Sequence, residues 1–78
     1  MHYELWDTAS RNLLYDFLTE EEALEAVRQL RSLNGPGTTD DMALMHVGDD
    51  GSSMTVALGS ALEEYVRASS SHQPQRTA

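Results

Sequence analysis

The sequence predicts an α+β domain of element order ββαββα, and three observations carry the prediction. Residues 3–8 (YELWDT) and 13–18 (LLYDFL) are short, rich in leucine and aromatics, and separated by the polar stretch ASRN, the pattern of a β-hairpin. Residues 42–47 (MALMHV) and 54–58 (MTVAL) repeat it around GDDGSS. Each pair of runs is followed by a helix-start signature, Thr19 with Glu22 and Ser60 with Glu63, the S/T-x-x-E capping box in which hydroxyl and carboxylate satisfy orphan backbone amides reciprocally.

Taken in order, the first hairpin has a loop of about four residues. The first helix starts after Thr19 and places Ala23, Leu24, Val27, Leu30 and Leu33 or Asn34 at 3.6-residue spacing, and NGPG at 34–37 supplies a glycine cap and a proline stop. TTDD reads as a solvated linker. In the second hairpin Asp50-Gly51 reads as a two-residue turn, which pairs Val47 with Met54, Met45 with Val56 and Ala43 with Leu58. The second helix carries Leu62, Tyr65 and Val66. Setting the two caps in register also aligns Leu13, Tyr15 and Phe17 with Met54, Val56 and Leu58, a hint of an internal repeat. The domain is expected to span residues 1–68, with 69–78 (SSHQPQRTA after Ser69) a disordered tail of few apolar groups.

A chain of 78 residues holds one small core, worth no more than roughly 3–5 kcal/mol without a staple. It has no cysteine, so the staple is not a disulfide. No apolar run approaches the roughly 18 residues of a membrane span, and MHYELWDTAS lacks the basic and apolar regions of a signal peptide. A soluble cytoplasmic protein is the expectation. Thirteen acidic against five basic residues give a formal charge of −8, which repels nucleic-acid phosphates and anionic membranes and suits basic partners. All the basic residues are arginine, the bias expected of a GC-rich bacterial genome.

The predicted register makes the Ala43, Met45, Val47, Met54, Val56 and Leu58 side the floor for the helices and leaves Leu44, His46, Thr55 and Ala57 on the other. In the first hairpin a four-residue loop places Trp6, Leu13, Tyr15 and Phe17 on one side and Tyr3, Leu5, Leu14 and Leu18 on the other; a change of one residue swaps the first strand's set. In either register both faces are largely apolar, whereas a sheet covered on one side ordinarily alternates apolar and polar. Helices on one face would therefore leave an apolar patch of Leu5, Leu14, Leu18, Leu44 and His46 for a partner, most simply a second copy packed sheet to sheet. Helices on opposite faces, or one hairpin curled over the other, would instead make the second face core.

The candidate chemical sites read as structure. Glu20-Glu21-Glu22 is the acidic first turn of a helix, where carboxylates meet the positive end of the helix dipole; successive helical side chains diverge by about 100° and do not converge on a metal. Asp49-Asp50-Gly51 lacks the remaining ligands of a calcium loop. His2, His46 and His72 lie far apart with no ligand spacing; His46, near the expected interface, is the one whose protonation could couple to association. No catalytic, cofactor or metal residue is expected, nor a cofactor. Arg28 and Arg31 allow a small positive spot, not a nucleic-acid stripe.

YELWDTASRNLLYDFLTEEEALEAVRQL, residues 3–30, resembles the opening of small uncharacterised bacterial proteins of strand–turn–strand–helix form. Its T-E-E-E-A-L portion is similar to a stretch of HicB-like antitoxins, whose central glycine- and proline-bearing segment this chain lacks. Neither resemblance implies a catalytic residue. The functional expectation is a small acidic, non-enzymatic interaction module that binds itself as a homodimer, or another protein, through an apolar sheet face; the alternative is an antitoxin-like or DNA-mimic regulator that neutralises a basic partner.

Overall fold

The computed structural model describes residues 1–72, with side chains through residue 69. The elements are β1 (His2–Asp7), β2 (Asn12–Phe17), α1 (Glu20–Asn34), a 3-10 turn (Thr38–Asp41), β3 (Met42–Val47), β4 (Ser53–Leu58) and α2 (Gly59–His72). The strands form one antiparallel sheet in the order β2-β1-β3-β4, so the α+β class and the ββαββα order are as the sequence predicts. Each hairpin supplies an inner and an outer strand. The inner strands β1 and β3 pair across the centre with Leu5 opposite Leu44.

Both helices lie on the same face. Leu5, Leu44 and Ala57 from the sheet meet Ala23, Leu24 and Val27 of α1 and Leu62 and Val66 of α2 in a single buried cluster. Leu5, Leu44, Leu62 and Val27 are completely buried, each contributing about 1.5–3 kcal/mol through removal of apolar surface from water. The 3-10 turn seals one end of this core: Thr39 is buried, and the Asp41 carbonyl accepts from Thr8 N at 2.8 Å. TTDD is thus a packed element rather than a solvated linker.

The two helix starts differ. Thr19 caps α1 as expected, its Oγ1 accepting from Glu22 N at 3.1 Å, while Glu22 reaches back to Leu18 N at 3.3 Å. In the second unit the helix begins directly after β4, at Gly59, so Ser60 lies inside the first turn instead of capping it. Gly59 has φ +57, and a side chain there would approach the Asp40 carbonyl at 3.7 Å. Here the strand turns into the helix without a loop through one residue at positive φ, a conformation glycine adopts without penalty. Glu63, freed from capping, accepts from Arg31 Nε at 2.6 Å and ties the helices together.

Two register irregularities set which residues face the helices. The second turn runs from Gly48 to Gly51, closed by Gly51 N to Gly48 O at 3.0 Å and Gly48 N to Ser52 O at 2.8 Å, with Gly51 at φ +86. This is the three-residue hairpin, a turn followed by a left-handed glycine, not the two-residue Asp50-Gly51 turn. Val47 therefore pairs with Ser53 and Met45 with Thr55, one residue from the expected partners; the register then shifts at Val56, and Ala43 meets Leu58 as expected. A similar shift occurs in the first hairpin, where Trp6 pairs with Leu13 but Leu5 pairs with Tyr15, leaving Leu14 as the extra residue of a β-bulge.

Helix α2 continues to His72, past Ser69 where the tail was expected to begin. Serine in a helix interior costs only a few tenths of a kcal/mol relative to alanine, and adding residues to an existing helix avoids the cost of nucleation. The rest of that expected tail, residues 73–78, lies outside the described residues.

Candidate interaction surface

The uncovered face of the sheet carries an apolar row across all its strands: Leu13, Trp6, Ala43 and Leu58, from β2, β1, β3 and β4, directly opposed in register. Opposed residues on one face lie about 4.5–5.5 Å apart, close enough for side-chain contact. Leu13 is 44% and Leu58 53% exposed, Trp6 is half-buried, and Ala43 is buried between larger neighbours in the row. The next row along the strands reads Asp16, Glu4, Met45 and Thr55. One end of this face is therefore apolar, and the other mixed and acidic.

The acidic end has its own hydrogen-bonded chain along β1. His2, Glu4 and Trp6 alternate onto the open face. Glu4 accepts from Trp6 Nε1 at 3.0 Å through one oxygen, and its other oxygen lies 3.0 Å from His2 Nε2. The His2 bond, then the Trp6 bond, hold the Glu4 carboxyl below the usual carboxylate range. The indole is thereby fixed by a carboxylate within its own strand.

Of the residues expected to form an interaction patch, Leu5 and Leu44 are corrected by their burial: both are completely enclosed beneath the helices. His46 also lies on the helix side, opposite Tyr3 and half-buried, its ring 4.8 Å from the Tyr3 ring. Leu14 and Leu18 are exposed, at 39% and 78%, but Leu14 sits in the bulge and Leu18 in the connection to α1, and the structure does not bring them together with the other three into one patch. The expected floor, the side of Ala43, Met45 and Val47, is instead the open face; the one-residue register difference places Ser53 and Thr55 opposite Val47 and Met45 where Met54 and Val56 were expected, which makes that side the less apolar of the two. Trp6, Leu13 and Leu58 were missed as surface residues. The Asp49-Asp50-Gly51 run held the usable signal, since two acidic turn residues before glycine suit the three-residue hairpin with its left-handed closing position.

Most of the remaining charged candidates have structural partners, Glu21 being an exception. Glu20 accepts from the Tyr65 hydroxyl at 2.6 Å, joining α1 to α2, and that bond pushes the Tyr65 pKa up to about 12. Glu22 completes the cap. Glu25 accepts from Arg28 and Gln29 and is held below its ordinary value chiefly by the Arg28 bond. With Arg28 on Glu25 and Arg31 on Glu63, the anticipated positive spot is neutralised. Among the described residues no group of three or more His, Asp or Glu is placed to hold a metal ion, and no helix is long and apolar enough to cross a membrane. Compared with protein-family models, with curated proteins and with solved structures, the chain matches none.

Proposed function

We propose that this protein is a small acidic, non-enzymatic interaction module that self-associates through the open face of its sheet. The observation that supports this reading is the continuous row Leu13, Trp6, Ala43, Leu58 on the face the helices leave uncovered. A second copy suits it for a geometric reason. A two-fold axis lying along the row opposes row to row and carries the Glu4–Asp16 rows to opposite sides of the contact, so each copy's negative charge is kept away from its partner's. The same row serves both copies, as an isologous interface requires. Several of the carboxylates in turn act as cap, ion pairs and hydrogen-bond acceptors within the fold, Glu22, Glu25, Glu63, Glu4 and Glu20 among them.

The face is modest. Four strands about 4.8 Å apart and roughly 20 Å long present about 400 Å² in projection, below the roughly 800 Å² per partner of a standard interface. The expected dimer is therefore weak and reversible. Sedimentation equilibrium at low and high salt is the test: association should hold or tighten as salt rises, as expected of an apolar contact. Leu58→Asp and Leu13→Asp should abolish association while leaving a folded monomer. A wild-type chain that remains monomeric at millimolar concentration at both salts, or variants that still dimerise, would sink this reading. Association that collapses with salt would favour instead the neutralisation of basic partners by charge.

A further inference from the structure

A second surface lies along the β2 edge, meeting the open face only at Asp16. Strand β2 is outermost in the sheet, so its outward backbone N–H and C=O groups are unpaired by any strand, the arrangement that templates strand addition. It carries neither lysine nor proline to discourage pairing, and its bulge at Leu14 precedes the Tyr15–Phe17 stretch that stays in register with β1. Tyr15 and Phe17 project from β2 onto the helix side, with ring centroids 6.2 Å apart. Alongside them runs a groove between β2 and α1 with two chemically different ends. Toward the end of α1 it is walled by Tyr15, Ala26, Leu30 and Leu33, with Tyr15 52% and Leu33 81% exposed. Toward the start of α1 it is walled by Phe17, Glu21, Glu22 and Glu25.

We infer that this edge and groove form a docking site for an extended basic segment of a partner protein, added as a fifth strand beside β2. The register of the fold sets the chemistry of the guest. A guest residue opposite Tyr15 would point over Leu30 and Leu33 and should be apolar. The next, opposite Asp16, falls on the other face beside an exposed carboxylate, and the one after, opposite Phe17, points at Glu21 and Glu22. Both should be basic, the latter also able to lie against the Phe17 ring. Asp16 and Glu21 are the charges available for this, since neither side chain makes a hydrogen bond or ion pair among the described residues, whereas Glu25 is engaged by Arg28. The guest is thus one apolar residue adjoining two consecutive basic ones in an extended chain, with backbone bonds supplying affinity and alternate side chains specificity. A second copy's β2 is disfavoured, because it would bring Asp16 and the α1 carboxylates of both copies together.

The test uses the full chain carrying Leu58→Asp, so that association through the open face does not interfere. Two blocked heptapeptides of threonine with a central isoleucine, one with arginine at the next two positions and one in reversed order, are titrated while backbone amide resonances are followed. Expected are shifts concentrated at residues 12–17 and 21–33, slowed amide exchange in β2, and affinity that falls with salt. A peptide of the same composition with the arginines moved to the two ends should bind at least tenfold more weakly, as should the best peptide to Glu21→Lys or Leu33→Asp, both substitutions at exposed positions. No binding at millimolar peptide, equal binding of the rearranged peptide, or shifts centred on Trp6 and Ala43 would overturn the inference. So would concentration-dependent protection of β2 amides without peptide, which would mean that a second copy occupies the edge. If a variant fails to fold, the rearranged peptide against the folded parent chain still decides the matter.

Discussion

The two faces of the sheet are built from the same strands and are similarly apolar along one row, yet they do opposite things. On the helix side, Leu5 and Leu44 are completely buried and Ala57 is 8% exposed. On the other side, the adjacent residues Trp6, Ala43 and Leu58 form a row with Leu13 that ends in solvent. The difference teaches that hydrophobicity along these strands does not mark the core; which row the helices cover does. A row that is apolar and uncovered must then be explained by association or by a stability contribution of its own.

The sharpest way to break the comparison is to truncate one leucine on each face. Leu44→Ala removes a side chain enclosed on every side and should cost about 2–5 kcal/mol, which approaches the whole stability expected of so small a domain, roughly 3–5 kcal/mol. Leu58→Ala, measured at a concentration where the chain is monomeric, should stay within about 0.5 kcal/mol of wild type, as surface substitutions do. Urea unfolding followed by circular dichroism measures both, and similar losses at the two positions would show that the open face contributes to the fold much as the covered one does.

A smaller effect separates the two ββα halves. Thr19→Ala removes the hydroxyl that accepts from Glu22 N and should destabilise by about 1 kcal/mol. Ser60→Ala, inside the first turn of α2, should cost nothing or stabilise by a few tenths of a kcal/mol, alanine being the better helix former. Matching losses at Thr19 and Ser60 would contradict the different helix starts described above.

The smallest effects are titrations at opposite ends of the pH scale. Glu4 on the open face is held below its ordinary value, so its contribution is present above the usual carboxylate range and is lost as pH falls through the lowered folded value. The Trp6 indole resonance should report that midpoint, and Glu4→Gln should abolish the step. Tyr65 on the helix side is raised to about 12 from an ordinary 10, so its contribution is complete below pH 10 and is lost as pH rises through about 12. Tyrosinate absorbance should show that late step in wild type and lose it in Tyr65→Phe. A Glu4 that titrates at the ordinary value would mean its bonds to His2 and Trp6 do not persist in solution.

Much of this was legible in the chain. The hairpin–helix alternation, the Thr19–Glu22 box, the glycine after α1 and the apolar stripe Ala23, Leu24, Val27 and Leu30 all follow from local chemistry, and the structure contains each, whereas Leu33 and Asn34 at the expected end of the stripe are exposed. The open apolar face was legible only in outline. An uncovered apolar row was foreseeable from strands apolar on both faces, but its membership was not, because Leu14 and Val56 each act as an extra residue that shifts pairing by one. The β2 edge was hidden for a different reason: strand order is a long-range property, and nothing in NLLYDF states that it lies outermost.

Read alone, the chain specifies what depends on near neighbours: its element types and order, where its first helix begins, its acidity, and the structural use of its glutamate run. Packing alone decided that both helices share a face, that Leu5 and Leu44 are enclosed while Leu13 and Leu58 are not, and that β2 and β4 are the edges. The physical reason is that helix caps and turns are stabilised within a few residues, whereas face assignment turns on cross-strand register and on the free energy of covering one apolar row rather than the other, quantities summed over the whole sheet.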